Sequence, residues 1–279
     1  MGPVQSYTVP MSEPNLIALN VGNTRTQAGL FIEGRLTAHE RFDNRAPAAA
    51  AEWIVARWPE IATLAAPSIL AASVNDSVAD RLASMIEDQL TVEVYRVGDD
   101  VPAPIGQCLD PETITGVDRL LNAAAAFERV RQACVIIDAG TAITIDFVDG
   151  EGTFHGGAIA PGARLQLKAL HDHTALLPDL EFTRPDADPF GRNTAQAMLH
   201  GVHYGISGMV RRLAELYAQA YGAYPQVIAT GGDAALLFEG DEFIDNIVPD
   251  LTLLGIAAAA RHALVAHEGD GDDDHARGR

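Results

Sequence analysis

The sequence has few cysteines, no long apolar run and no basic, apolar start, and each shortage excludes a class of protein. Cys108 and Cys134 are too few for a disulfide framework in a chain of 279 residues. A reducing compartment, the cytoplasm, is therefore the simplest expectation. No apolar stretch approaches the ~20 residues that span a bilayer. The opening segment MGPVQSYTVPMSEPN does not resemble a secretory signal.

Basic residues are also scarce: 19 Lys and Arg stand against 38 Asp and Glu, which gives a formal net charge of −19. Nucleic acids and anionic membranes attract basic surfaces, so neither is expected as a partner. A small anionic ligand stays compatible with this charge, because a closed pocket needs only a few local donors. Residues 1–15 are predicted to be a disordered leader, and the acidic residues 268–279 a disordered tail.

Strand-like and helix-like segments alternate along the chain, which predicts an α/β fold. The predicted strands include residues 16–19, 27–32, 68–74, 91–97 and 227–232. The predicted helices cover residues 47–64, 76–90, 115–131, 193–218 and 251–266. Asp76 or Ser77 is expected to cap the helix that begins at residue 76.

One pattern occurs twice. LIALNVGNTRTQAGLF (16–31) and ACVIIDAGTAITIDFVDGEG (133–152) both run strand, polar residue, glycine, hydroxyl-rich turn and strand. Asn20 is then equivalent to Asp138, and Gly22 to Gly140. Such a repeat predicts two similar α/β halves around a central cleft, residues 16–130 and 131–267.

The glycine turns GNTRT (22–26) and GTAIT (140–144) suit phosphate binding, because glycine lets backbone N–H groups approach an anion. Each turn alone is equally compatible with an ordinary hairpin. The duplicated pair is a stronger signal, since two such turns can clamp a triphosphate. Asp138 ends a buried strand just before the second turn, where a carboxylate must bind a cation or cap the turn.

The segment GVDR (116–119) opens a predicted helix, and helix N-termini favour anions. Arg119 can fork onto a carboxylate, and Asp118 can accept a hydrogen bond from a hydroxyl. The alternative is an ordinary first helical turn with a favourable acidic residue. Asp146 is interpreted as structural, and His171 and His173 as solvent or substrate-loop residues rather than a metal pair.

Taken together, these motifs resemble those of the type III pantothenate kinases, which include the Bvg accessory factor homologues. The resemblance extends over most of the chain, from Leu16 to Ala266, and follows the family's order. Its motifs are NVGNTRT, GVDRLLNAAAA, VIIDAGTAITID, GGAIAPG, LLPDLEFTRPDADPFGRNTAQAMLHGVHYG, ATGG and VPDLTLLG. The resemblance implies two ribonuclease H-like halves of the actin-like ATPase fold, as in the acetate and sugar kinase/heat-shock 70/actin superfamily.

The resemblance also implies a function, the ATP-dependent phosphorylation of pantothenate to 4'-phosphopantothenate at the start of coenzyme A biosynthesis, in a homodimer. The implied ATP-phosphate residues are Asn20, Val21, Gly22, Asn23, Thr24, Arg25, Thr26, Gln27 and, from the other half, Thr141. The implied pantothenate residues are Cys108, Gly116, Val117, Asp118, Arg119 and, from the neighbouring subunit, Thr194. Asp118 would be the catalytic base. Asp138 would hold K⁺ or NH₄⁺, and Mg²⁺ would arrive with ATP.

Two departures from the family pattern keep an alternative open. The family begins Asp-x-Gly-Asn-Thr where this chain has Asn20, and it has Tyr-x-Asn-Pro where this chain has Cys-Leu-Asp-Pro at 108–111. The alternative is a catalytically weak homologue that binds nucleotide or pantothenate as a regulator. A sugar kinase is disfavoured, because the chain is short and lacks a Cys-rich zinc motif.

Overall fold

The computed structural model describes residues 13–276, with side chains described to residue 266. The strands are β1 Leu16–Val21, β2 Arg25–Ile32, β3 Arg35–Asp43, β4 Ser68–Ser73, β5 Val94–Arg96, β6 Gly106–Gln107, β7 Cys134–Ala139, β8 Ala142–Val148, β9 Thr153–Pro161, β10 Gln226–Thr230 and β11 Asn246–Ile247. The α-helices are α1 Pro47–Arg57, α2 Asp76–Leu90, α3 Val117–Val130, α4 Ala163–Asp172, α5 Thr194–Tyr221, α6 Ala234–Phe238 and α7 Leu251–Ala276. The protein is therefore α/β, as predicted.

The chain forms two compact units, one made of the described residues before Pro104 and from Ile256 onward, the other Pro104–Gly255. The first unit has a five-stranded sheet in the order β3-β2-β1-β4-β5. Strand β1 pairs antiparallel with β2 and parallel with β4. Its buried side chains, such as Ile17 and Leu19, pack with Ile54 of α1 and Leu82 of α2.

The second unit has a six-stranded sheet in the order β11-β10-β7-β8-β9-β6. Strand β7 pairs antiparallel with β8 and parallel with β10. Alternate residues of β8, Ile143 and Ile145, pack in one core with Val202 and Ile206 of α5. Side chains alternate across a sheet, so Thr144 and Asp146 lie on the opposite face of β8.

The internal repeat is confirmed at the level of strand pairing. Asn20 lies opposite Gln27 of β2 and beside Ala72 of a parallel strand. Asp138 lies opposite Thr144 of β8 and beside Thr230 of a parallel strand. In each unit a polar residue is therefore the next to last residue of a central strand that leads into a glycine turn.

The structure corrects the end of one predicted helix, the cap of a second and the unit to which a third belongs. The helix predicted over 47–64 ends at Arg57 and continues as a 3₁₀ turn, Trp58–Glu60, because Pro59 has no N–H for the helical ladder. Helix α2 begins at the predicted residue, but its cap is Asn75, whose side chain accepts from the Val78 N–H. The helix α3 lies in the second unit, not the predicted first half, because it packs on β7 and β8.

Parts of both predicted disordered ends are ordered among the described residues. The predicted leader 1–15 includes Asn15, which is buried and holds Ala65 O and the Glu33 N–H at 2.9 Å each, so its polar groups are satisfied by folded neighbours. The predicted tail 268–279 falls partly in α7, which runs to Ala276. A helix that has already formed is readily extended, because each added residue forms one further backbone hydrogen bond. Residues 1–12 and 277–279 lie outside the described residues.

Within residues 13–276, no helix has both the length and the apolar character needed to cross a membrane.

Candidate active site

The first glycine turn is stabilised by Asn44, a residue that lies outside the sequence motifs. The Gly22 N–H donates to Arg25 O at 3.0 Å and closes the turn. The Asn44 amide donates to Gly22 O at 2.7 Å, and its oxygen accepts from the Thr26 hydroxyl at 2.8 Å. Asn44 directly follows β3, and no local sequence pattern points to it.

This arrangement divides the predicted ATP-phosphate residues by exposure. Asn23, Thr24 and Arg25 are exposed at the tip of the turn, whereas Val21 and Thr26 are buried. Because the Thr26 hydroxyl donates to Asn44, the structure gives Thr26 a part in holding the turn. Asn20 on β1, Gly22 in the turn and Gln27 on β2 are half-buried.

The second glycine turn packs directly on the last glycine of GGAIAPG. The Gly140 N–H donates to Ala142 O at 3.0 Å, and the Gly162 N–H donates to Thr141 O at 2.9 Å. A Cβ on Gly162 would lie 2.1 Å from Gly140 O, so only glycine fits there. Thr141 is exposed at the tip of this turn.

Asp138 is held between a helix and the glycine of ATGG. The Asn122 side-chain amide donates to Asp138 Oδ2 at 2.9 Å. On the other side Gly231 has φ +95°, and a Cβ there would lie 2.5 Å from Asp138 Oδ1. The TGG sequence therefore leaves room for this carboxylate, a packing reason for the motif.

The GVDR segment forms the start of α3. Gly116 is the N-cap and provides no side-chain cap, and the Arg119 N–H donates to Gly116 O at 3.1 Å. Asp118 lies in the first turn and accepts from the Arg119 N–H at 2.8 Å. Burial raises the pKa of Asp118 above its ordinary value, although the Arg119 N–H and charge act in the opposite direction.

Arg119 has a partner that the sequence analysis treated separately. Its Nε lies 3.1 Å from both carboxylate oxygens of Asp146, and a second guanidinium nitrogen also donates to Oδ1. The Arg119 Cζ stacks 5.6 Å from the centre of the Phe154 ring. Asp146 is buried, and Gly157 makes room for it, since a Cβ there would lie 2.5 Å from its Oδ1. Asp146 thus fixes Arg119, and the guanidinium N–H groups that do not face Asp146 have the chemistry to donate to an anion.

Cys108 and Thr194 lie in the same unit as the GVDR helix. Cys108 is exposed, and its N–H donates to Phe154 O at 2.9 Å, which connects it to the residue on which Arg119 stacks. Thr194 is the exposed first residue of α5, after the N-cap Asn193. His171 Nδ1 contacts Leu177 O at 2.8 Å. The described residues contain no group of three or more His, Cys, Asp or Glu side chains able to hold a metal ion.

Two sheets, each with a polar strand end before a glycine turn, define the actin-like ATPase fold, and solved structures agree. A structure from Campylobacter jejuni, described as a conserved Baf family transcriptional activator, matches with TM-score 0.57 and 20% identity over 91% of this chain and 99% of that one. A structure from Sinorhizobium meliloti, described as a 2-dehydro-3-deoxygalactonokinase protein, matches with TM-score 0.54 and 15% identity over 89% of this chain and 99% of that one. These likenesses concern the fold.

The family follows from sequence. Residues 16–216 match the family model of type III pantothenate kinases, and the chain belongs to this family. A type III pantothenate kinase of Dehalococcoides mccartyi strain 195 is 34% identical over 259 residues, 88% of this chain and 96% of the relative. A type III pantothenate kinase of Anaeromyxobacter sp. strain Fw109-5 is 34% identical over 248 residues, which cover 86% of this chain and 96% of the relative. The resemblance inferred from the motifs is confirmed.

Proposed function

We propose that the protein transfers the γ-phosphoryl group of ATP to the primary hydroxyl of pantothenate, the first step of coenzyme A biosynthesis in the cytoplasm. The observation that carries this proposal is the start of α3, where the Asp118 carboxyl with a raised pKa adjoins the Asp146-bound Arg119. One helical turn thereby provides an acceptor for a hydroxyl and a fork for a carboxylate, the two ends of pantothenate.

Phosphoryl transfer has a loose transition state, so positioning and charge neutralisation supply most of the rate. Asp118 orients the attacking hydroxyl and accepts its proton late in the reaction. Arg119 fixes the substrate carboxylate, which makes the attack nearly unimolecular. Gly116 and Val117 would bind pantothenate through their backbone at the same helix end. Cys108 would line the pantothenate pocket, and Thr194 would reach it from a neighbouring subunit.

The exposed turn residues Asn23, Thr24 and Arg25, together with Thr141, are proposed to contact the ATP phosphates. Asp138 has the chemistry of a K⁺ or NH₄⁺ ligand: one fixed carboxylate with the Thr144 and Thr230 positions beside it in the sheet. Mg²⁺ bound with ATP and the monovalent cation would neutralise phosphate charge. The protein side chains, in contrast, would position ATP and pantothenate.

A steady-state assay with ATP, Mg²⁺, K⁺ and pantothenate tests the proposal. We expect ADP formation that requires pantothenate, with 4'-phosphopantothenate identified by mass spectrometry. A protein that binds pantothenate or ATP by calorimetry but forms no product would contradict the kinase proposal and support the regulatory alternative.

The Asn20→Asp variant tests the departure at the first strand end. If Asn20 stands where a metal-orienting carboxylate served, restoring the charge should raise kcat at saturating Mg·ATP by about 10-fold, which corresponds to ~1.4 kcal/mol of transition-state stabilisation. Asn75→Asp is the matched control, because it adds the same charge in the same unit and an aspartate still caps α2. A parent as fast as ordinary kinases, slowed by Asn20→Asp, would show that Asn20 is adapted to its site.

We propose a homodimer in which Thr194 serves the pantothenate site of the partner. Large apolar side chains near Thr194 in sequence are exposed, Leu176 by 91% and Phe190 by 69%, as expected of a surface that a second copy covers. The protein should sediment as a dimer. Mixing Asp118→Asn with Thr194→Lys should restore about a quarter of the parent activity, since half the exchanged dimers carry one intact site. A fully active monomer, or no restoration after subunit exchange, would contradict the shared site.

A further inference from the structure

Two buried polar residues of the family motifs have no role in the proposed reaction so far. Asn122 ends the GVDRLLN segment of α3 and is 2% exposed, and Thr252 of VPDLTLLG lies at the start of α7 and is 6% exposed. A buried amide or hydroxyl without a hydrogen bond is costly, so each side chain must have a partner. The Thr252 hydroxyl donates to Asn122 Oδ1 at 2.8 Å, and Asn122 Nδ2 donates to Asp138 Oδ2 at 2.9 Å.

This chain of hydrogen bonds depends on a close approach of two helices. Thr252 and Asn122 are 130 residues apart in sequence. Three residues after Thr252, Gly255 packs on the backbone of α3, and a Cβ there would lie 2.3 Å from Leu121 O. Only glycine permits this distance, and it brings the Thr252 hydroxyl within reach of Asn122.

The donors and acceptors in this row of hydrogen bonds are also fixed. An ionised carboxylate only accepts hydrogen bonds, so the Asn122 NH₂ group must face Asp138 and its oxygen must face Thr252. Thr252 then donates and stabilises this orientation of the amide. With Oδ2 held by Asn122 and Gly231 adjoining Oδ1, the plane of the Asp138 carboxylate is fixed.

We propose that Asn122 and Thr252 are positioning residues that orient the Asp138 carboxylate for a monovalent cation, an inference that rests on the cation role proposed above. Asn122 follows Asp118 by four residues, so both side chains lie on one face of α3. Helix α3 thus holds both Asp118, the proposed acceptor for the substrate hydroxyl, and Asn122, which fixes the Asp138 carboxylate. Partners that orient a metal ligand commonly change metal affinity by about 10–100-fold when removed.

The test measures K⁺ binding directly as well as activity. Full-length parent, Asp138→Asn, Asn122→Ala, Thr252→Val and Thr252→Ser proteins are titrated with KCl against choline chloride. Thermal unfolding is followed in the presence of a non-hydrolysable ATP analogue, and the kinase rate is measured separately with ATP and pantothenate. The readouts are the KCl concentration that gives half of the rise in Tm and the concentration that gives half-maximal kinase rate. Thr252→Val should raise both concentrations roughly 10-fold. Thr252→Ser, which keeps the hydroxyl, should stay within about twofold, with KM for pantothenate unchanged in both.

A double variant separates positioning from general damage. Because Thr252 acts through Asn122, adding Thr252→Val to Asn122→Ala should not weaken K⁺ binding further. Thr37→Val, which removes a hydroxyl that donates to Leu30 O in the first unit, is the matched control and should leave K⁺ binding unchanged. Should Thr252→Val fail to fold, Thr252→Cys, a weak donor, should shift K⁺ binding in the same direction.

The outcomes distinguish the proposals. A Thr252→Val protein with lower Tm but unchanged half-saturating KCl, or shifts that add in the double variant, would overturn the positioning role alone. An Asp138→Asn protein with unchanged K⁺ binding would overturn both the cation role and this inference. Phosphorylation of pantothenate by the parent would stand in either case.

Discussion

Asp118→Asn is expected to lower kcat about 10²–10³-fold while the Kd for pantothenate changes by less than about threefold. An asparagine keeps the size and can still accept a hydrogen bond from the substrate hydroxyl, so binding should persist. It cannot take the proton. Calorimetry gives the Kd, and turnover is measured at saturating ATP and pantothenate. A kcat within threefold of the parent would refute the assignment of Asp118 as the base.

The raised pKa of Asp118 adds a pH signature. Burial is the main cause of the shift, and it disfavours the ionised form. The parent rate should therefore fall, as pH is lowered, at a higher pH than an ordinary aspartate would give, because the base must be ionised. This acid limb of kcat/KM should be absent from the residual activity of Asp118→Asn.

The same shift predicts the sign of the stability change. A carboxyl with a raised pKa in the folded state stabilises folding at low pH, and this stabilisation is lost as pH rises through the folded-state pKa. Above the folded-state pKa the ionised Asp118 thus opposes folding, and in that pH range Asp118→Asn should unfold at the same or a higher temperature than the parent. Asp88→Asn, an exposed site on α2, is the control for loss of one negative charge. Lost turnover together with lower Tm would point to damage instead of catalysis.

The fold was largely predictable because its signals are local. Apolar runs and helical spacing located the main elements, and the strand, polar residue, glycine pattern located both turns. Cap positions were harder to predict where neighbouring polar residues compete, as at Asn75 and Asp76. A proline inside a helical pattern, Pro59, shortened α1 more than apolar spacing alone suggested.

The partners of the proposed site residues were not predictable, because each comes from a distant segment. Asn44 reaches back to Gly22 across a hairpin, and Thr252 reaches Asn122 only after both helices pack. No periodicity connects such pairs. Asp146 shows the same limit: its position on a strand gave no sign that it binds Arg119, and its interpretation as structural did not connect it with the GVDR segment.

Asp146→Asn should therefore affect both folding and substrate binding. Asp146 is 2% exposed and Arg119 15%, so the change leaves a buried guanidinium without its counter-charge. Removing one partner of a buried ion pair costs about 3–5 kcal/mol of unfolding free energy, a fall in Tm of roughly 10 °C at this size. KM for pantothenate should rise about 10-fold or more, because Arg119 loses its fixed orientation. Denaturant unfolding and steady-state kinetics measure the two effects.

Two further variants show whether the cost comes from the unpaired charge. Burial raises the pKa of Asp146 despite Arg119, so desolvation offsets much of what the pair gains. Replacing both partners, Arg119→Met with Asp146→Leu, should then be less destabilising than Asp146→Asn alone, although pantothenate binding is lost. Asp43→Asn, which breaks the exposed pair with Arg45, should change stability little. If Asp146→Asn unfolds like the parent and keeps its KM, the pair neither anchors the fold nor orients Arg119, and the substrate carboxylate must be bound elsewhere.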